Sequence, residues 1–282
     1  MANETGNTQL DVLVQELWRG QILQKAYARA RAGSRVLNVT GDVSGPGDIL
    51  HIPIMPTLTV NDEGSDGGLT VQTLTPTEAQ LTVNKKKEVT VEFVNNARRQ
   101  ALDSAENSLP GQSGEAIGAQ IETDILALQS DITQTAGDGT GRIGKDELLS
   151  AMSTFIAADL PIIEMPGEFT FALSDKEYQG LKREGIYSDA DKAGFPGNFQ
   201  ARVGDIYGVT TYFTSKVASS GGERKNLAFH REAFGWGIQR NMELRKADGL
   251  ANLKNTTVYY TGALYGVKTV RTAYAVVLRG IA

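Results

Sequence analysis

Between Asp48 and Phe93 the apolar residues fall on alternate positions, broken by prolines and a glycine-rich turn, ahead of any segment able to build a compact core. Leu50, Ile52 and Ile54 alternate with His51, Pro53 and Met55, which is the two-residue period of a strand. Proline lacks the amide a central strand must donate, so this segment is confined to a sheet edge or a free ribbon. Asn61 to Gly68 (NDEGSDGG) reads as a turn, and strand-like sequence returns at Leu69 to Leu74, Leu81, Val83, Val89, Val91 and Phe93. The spacing predicts a long hairpin over 48–93. An isolated two-stranded ribbon is marginal in water. It must lean on something, and another copy of the chain is the economical candidate.

Before the ribbon, Leu10, Leu13, Val14 and Leu17 recur at i, i+3, i+4 and i+7, with Trp18 widening the stripe and Ile22 near its edge. This predicts an amphipathic helix of about five or six turns. Arg19, Lys25, Arg29, Arg31 and Arg35 gather positive charge toward its C-terminal end, before a stop at Gly33. Such charge complements the helix dipole; contact with an acidic neighbour or packaged nucleic acid is the other reading.

After the ribbon, Asn95 to Ser108 is a polar helical segment ended by Leu109-Pro110-Gly111, and a second helix opens near Ser113. There Ile117, Ile121, Ile125 and Leu128 form a core-facing spine, with Glu122 and Asp124 toward solvent. A third helix is expected from Lys145 to Ala158, a strand at Phe169 to Leu173, and a short helix holding Tyr178 and Leu181. Strands follow at Asp205 to Phe213, Asn226 to Phe229, Asn255 to Tyr260 and Lys268 to Leu278, with loops at Ser219 to Gly222 and Arg245 to Gly249. Helices followed by strands indicate an α+β fold.

At 282 residues and 40% hydrophobic content the chain can bury a substantial core. Its net charge of -5 argues against a protein that coats nucleic acid generally. With no cysteine, disulfides, thiolate nucleophiles and Cys-based zinc sites are excluded. No run approaches the roughly 20 apolar residues of a membrane span, and no leader is expected.

Several motifs tempt. Gly139 to Lys145 (GTGRIGK) has P-loop spacing, but Asp146 stands where a magnesium-binding hydroxyl belongs, and a helical pattern replaces the buried strand that should precede it. The same loop, taken from Ala136 with Asp138 and Glu147 as ligands, resembles a calcium loop whose first ligand is missing. His51 is expected on the ribbon and His230 as a hydrogen bonder at a strand end, without a nucleophile elbow or HExxH pattern around either. Asp103 with Glu106, and Glu122 with Asp124, are expected as solvated helix-surface acids. Trp18, Trp236, Tyr259, Tyr260 and Tyr265 have two readings, core packing within one subunit and interface anchors. No enzyme activity, cofactor or metal is expected.

The order of these segments, with EAIGAQIETDILAL (115–128), FTFALSDKEYQGLK (169–182), GDIYGVTTYFTSKV (204–217), NLAFHREAFGWGIQ (226–239) and YGVKTVRTAYAVVL (265–278), resembles the major capsid proteins of tailed bacteriophages with the Hong Kong 97-type fold. The resemblance implies an N-terminal arm (1–47), an extended loop (48–93), a peripheral domain with a spine helix (94–144 and 241–265) and an axial domain (145–240 and 266–282). It assigns intersubunit contacts to Leu10, Leu13, Val14, Leu17 and Trp18 of the arm and to Leu50, Ile52, Ile54, Leu58, Val60, Leu69 and Val71 of the loop. It implies a virion protein, assembled in the host cytoplasm, that self-associates as pentamers and hexamers of an icosahedral shell around double-stranded DNA. A separate scaffolding protein and a portal are implied, and there is room for a decoration protein outside. Some members cross-link Lys to Asn; Lys85, Lys86 and Lys87 sit at the loop base, but with no identifiable partner Asn that chemistry is not expected. An encapsulin-type nanocompartment is the alternative within the fold, and a P-loop nucleotide-binding enzyme the alternative of another class.

Overall fold

The computed structural model describes residues 7–43, 47–56, 58–62, 69–94, 103–183, 205–248 and 256–282. Helix α1 (Asn7–Arg29) is followed by a 3-10 turn (Ala32–Ser34), a two-residue strand β1 (Leu37–Asn38) and one helical turn, α2 (Thr40–Val43). Strands β2 (Ile49–Ile54) and β3 (Thr77–Thr82) then pair antiparallel as a separate two-stranded sheet. Strand β4 (Lys85–Val94), expected in that ribbon, leaves it. It lies instead along β12 (Thr256–Thr269), with Thr256 opposite Val94 and Tyr265 opposite Lys85.

That pairing completes a four-stranded sheet in the order β1-β11-β12-β4, whose middle is the long hairpin of β11 (Phe234–Asp248) and β12. β11 begins at Phe234 and runs through the expected loop at Arg245. On β4 the half-buried Val89, Val91 and Phe93 alternate with exposed Glu88, Thr90 and Glu92, so one face meets the core while charge covers the other.

Helix α3 (Asp103–Leu126) is continuous where the sequence predicts a break, with Pro110 inside it; the segment 95–102 lies outside the described residues. Proline forfeits one backbone hydrogen bond. Packing outweighs that loss, because Leu109 and Pro110 are both buried. Ile117, Ile121 and Ile125 form the predicted apolar face. The same face of α3 carries Gly114 and Gly118, and a Cβ on either would strike the carbonyl oxygen of Ile22 or Ala26 in α1. Two helix backbones thus touch directly, with Ile22 and Ala26 at 0% exposure.

A second sheet has the order β5-β13-β10-β6-β8-β7: β5 (Thr135–Ala136), β13 (Ala275–Ile281), β10 (Glu223–His230), β6 (Phe169–Ser174), β8 (Val209–Thr214) and β7 (Asp205–Ile206), with β9 (Ser219–Ser220) pairing β10. Both faces are buried, and alternate residues face different cores. Leu227, Phe229, Ala275 and Val277 join α1, α3 and the four-stranded sheet in one cluster. Ala228, Val276 and Leu278, with Phe169, Phe171 and Leu173, pack under α4 (Lys145–Ala157) through Leu148, Ala151 and Phe155. The expected strand over Lys268 to Leu278 is in fact two, β12 ending at Thr269 and β13 beginning at Ala275, joined by a 3-10 turn. α5 (Glu177–Arg183) is the expected short helix after β6.

Trp236, Tyr259 and Tyr265 resolve as core residues, at most 2% exposed. Tyr260 is half-buried and accepts a hydrogen bond from Arg240 on its hydroxyl (3.2 Å).

Candidate functional site

The ribbon of β2 and β3 is rooted on the four-stranded sheet. Leu50, Ile52, Leu81 and Val83 pack with Val39, Val43 and Leu264. The root lies close to β12: a Cβ at Gly266 would come within 2.5 Å of the Thr82 carbonyl oxygen. Leu50 and Ile52 therefore spend their apolar surface on their own chain, where an intersubunit contact was expected; Ile54 is half-buried.

Beyond Ile54 the character reverses. Met55 is 63% exposed, Leu58 64%, Val60 95%, Leu69 80% and Val71 89%. These residues carry no strand assignment, and the expected strand at Leu69 to Leu74 is absent; the turn residues 63–68 lie outside the described residues. Isolated surface hydrophobics are ordinary, whereas an apolar series on one projecting segment marks a contact surface. On the ribbon itself His51 Nδ1 and Glu78 Oε2 are 2.9 Å apart, and hydrogen bonds from Gln80 and His51 hold the exposed Glu78 carboxyl below its ordinary range.

The arm divides in two. The C-terminal half of α1, through Ile22 and Ala26, belongs to the main core, as does Ala30 just beyond it. Trp18 is half-buried and meets Tyr259 edge-on at 6.2 Å, so it packs on its own subunit. Arg19 pairs with Glu243 (3.7 Å) and Lys25 with Glu115 (3.6 Å), which are acidic partners within the chain. The backbone helix extends to Asn7, but the side chains of Leu10, Leu13, Val14 and Leu17 lie outside the described residues.

The acids Glu122 and Asp124, expected in solvent, are turned inward. Asp124 accepts hydrogen bonds from Tyr265 Oη (2.6 Å) and Gln120 Nε2 (3.1 Å) and sits 3.6 Å from Lys85 Nζ, tying α3 to β12 and β4. Burial and the Asp124 carboxylate push the Tyr265 hydroxyl above its usual range. Glu122, only 2% exposed, accepts the Ala32 amide on Oε2 (2.8 Å). Helical periodicity shows which positions share a face, but not that a second element covers the polar one.

The P-loop-like segment holds its own acids. The Thr140 amide donates to Asp138 (2.9 Å), Ile143 to Glu177 (3.0 Å) and Gly144 to Glu147 (2.9 Å). Amides that would cradle a phosphate are committed to carboxylates, and Asp138 and Glu147, the would-be calcium ligands, are committed to the loop. Among the described residues no group of three His, Asp or Glu is arranged to hold a metal. His230, at the end of β10, lies 3.0 Å from Glu168, the strand-end hydrogen bond expected of it.

No protein-family model and no curated protein matches the sequence. Solved structures do match. A structure from Mycobacterium phage Che8 superposes with TM-score 0.68 at 18% identity, covering 86% of this chain and 89% of that one. The capsid structure of cyanophage P-SCSP1u matches with TM-score 0.65 at 14% identity, covering 87% and 86%. The chain has the α+β fold of phage capsid proteins. The same capsid fold extends to a virus-like particle from Pyrococcus furiosus, with TM-score 0.57 at 11% identity over 94% of this chain and 99% of that one. Within this fold the exposed apolar segment beyond Ile54 sits on a ribbon, and the helix that leads the chain is anchored by its C-terminal half. Among the described residues no helix is long and apolar enough to cross a membrane.

Proposed function

We propose that this protein is a major capsid protein whose copies assemble, as pentamers and hexamers, into an icosahedral shell around a double-stranded DNA genome. The observation that carries the reading is the projecting ribbon, where Leu58, Val60, Leu69 and Val71 stand 64%, 95%, 80% and 89% exposed beyond a root that its own chain packs. Such a segment gains stability only by burying that surface elsewhere, at about 25 cal/mol per Å² before ordering costs. A symmetric assembly repeats the gain at every copy. The distal face of α1, with Leu10, Leu13, Val14 and Leu17, is the second contact of this kind, while Trp18, Leu50 and Ile52 serve to hold arm and ribbon on their own subunit. Residues 1–47, 48–84, 85–144 with 234–269, and 145–233 with 270–282 form the arm, loop, peripheral and axial parts of this subunit. A scaffolding protein and a portal complete the assembly, in the host cytoplasm.

A second reading, a nanocompartment that holds protein cargo, is favoured by the fuller coverage of the Pyrococcus furiosus particle. Electron microscopy of the concentrated protein, alone and with its scaffolding protein, tests both. Uniform shells containing nuclease-protected DNA in infected cells support the capsid; shells containing a co-purifying enzyme and no DNA support the compartment. A persistent monomer under every condition overturns both.

A further inference from the structure

The elbow between α1 and β1 is where the protein's main parts converge, and one buried carboxyl holds it. From the four-stranded sheet, Trp236 Nε1 donates to the Gly33 carbonyl (2.8 Å). Toward the larger sheet, Arg31 donates to the carbonyl of Phe213 in β8 (3.2 Å). From α3, Glu122 Oε2 accepts the Ala32 amide (2.8 Å). The other carboxylate oxygen, Oε1, is enclosed without a hydrogen-bond partner, and so is the hydroxyl of Tyr212 in β8, which lies against the same carboxyl. A buried polar atom without a partner is costly, and more so when charged, so this junction has a built-in reason to change with protonation.

We propose that Glu122 is a proton-operated latch that positions the elbow of the arm: the neutral carboxyl keeps Ala32 docked between α3 and β8, and ionisation loosens it. In the neutral form Oε2 still accepts the Ala32 amide, and the enclosed Oε1 carries no charge. Ionised, the carboxylate carries its charge in an enclosed site, and the elbow relaxes to let water reach it. The groups around it are Arg29, Arg31 and Arg35 on the elbow side and Tyr212 and Thr214 on β8. Burial is the largest influence and raises the carboxyl above its ordinary value of 4.5, while the Ala32 amide, Thr214, Arg31 and Arg29 oppose it. Because the docked carboxyl binds its proton more tightly than the open one, docking is strongest near and below that ordinary value. It weakens as pH climbs to the raised docked-state value and is constant above it.

The latch belongs to the single subunit and stands whether or not the shell reading holds. Hydrogen exchange of the elbow amides, residues 30–36, is measured on the full-length assembly-free protein across pH and corrected for intrinsic rates. The elbow's opening constant is expected to rise by up to about tenfold per pH unit above the ordinary carboxylate range and then level off. Amides of β13 serve as the reference and stay unchanged. In Glu122→Gln, which keeps the acceptor for Ala32 and cannot ionise, the elbow is expected to stay protected at every pH. Elbow protection in the wild type that does not vary with pH overturns the proposal without any variant. An unchanged pH dependence in Glu122→Gln overturns it equally.

Discussion

At Gly118 a hydrogen atom decides whether two helices can meet. The carbonyl of Ala26 occupies the place a Cβ would take, and both contacting atoms belong to helix backbones that cannot yield separately. Gly118→Ala is expected to destabilise the subunit by about 1–3 kcal/mol or more, as overpacking does; thermal unfolding measures this, and an unchanged midpoint would contradict the close approach. Glu177 is a second enclosed acid, accepting the Ile143 amide on Oε2 (3.0 Å) while Oε1 has no partner. Burial raises its carboxyl above 4.5, against the opposing pull of the Ile143 amide, Arg142 and Arg224. A folded-state value above the unfolded one means stability present at low pH and lost as pH rises through the folded value. Wild type is therefore expected to lose more stability than Glu177→Gln between pH 4.5 and neutrality. Parallel stability-versus-pH curves for the two proteins would refute this.

At the scale of elements, α1 is anchored through Ile22 and Ala26, and the β2–β3 ribbon through its root. The ribbon root shares a small cluster with Leu264 of β12, whereas Leu58, Val60, Leu69 and Val71 are left exposed. Deleting Val60 to Leu69 is expected to leave the subunit's unfolding midpoint within experimental error and to lower the thermal stability of assembled particles. Particles equally stable without this segment would remove it from the contact. The division was partly legible beforehand: period two over Leu50 to Ile54 located β2, and the prolines kept it out of a large sheet. The pairing was not legible, because β4 carries the same alternation as a ribbon strand. Only the competition between partners, β3's edge or β12's, selected β12. Pro110 likewise reads as a helix end, since a local rule cannot weigh one lost hydrogen bond against a buried tertiary contact.

At the scale of the whole molecule, one cluster runs from Ile22 in α1 through Ile121 in α3 and Trp236 in β11 to Leu227 and Val277 in the larger sheet. The two large sheets therefore share a core. Unfolding of the assembly-free subunit is expected to be a single calorimetric transition, despite the two sheets; two well-separated transitions would show that the parts fold independently. What the amino-acid order determined alone is the inventory and its sequence: a leading amphipathic helix, a proline-interrupted ribbon, an isoleucine spine, and a β-rich second half. These follow from short-range periodicity, which each segment carries within itself, and their order was enough to suggest the capsid fold. What only the tertiary structure decided is which strands pair, that Glu122 and Asp124 face inward, and that the ribbon is anchored at its root. Those outcomes depend on which surfaces meet across long chain separations, and burial is settled by the neighbour that arrives, not by the residue that is covered.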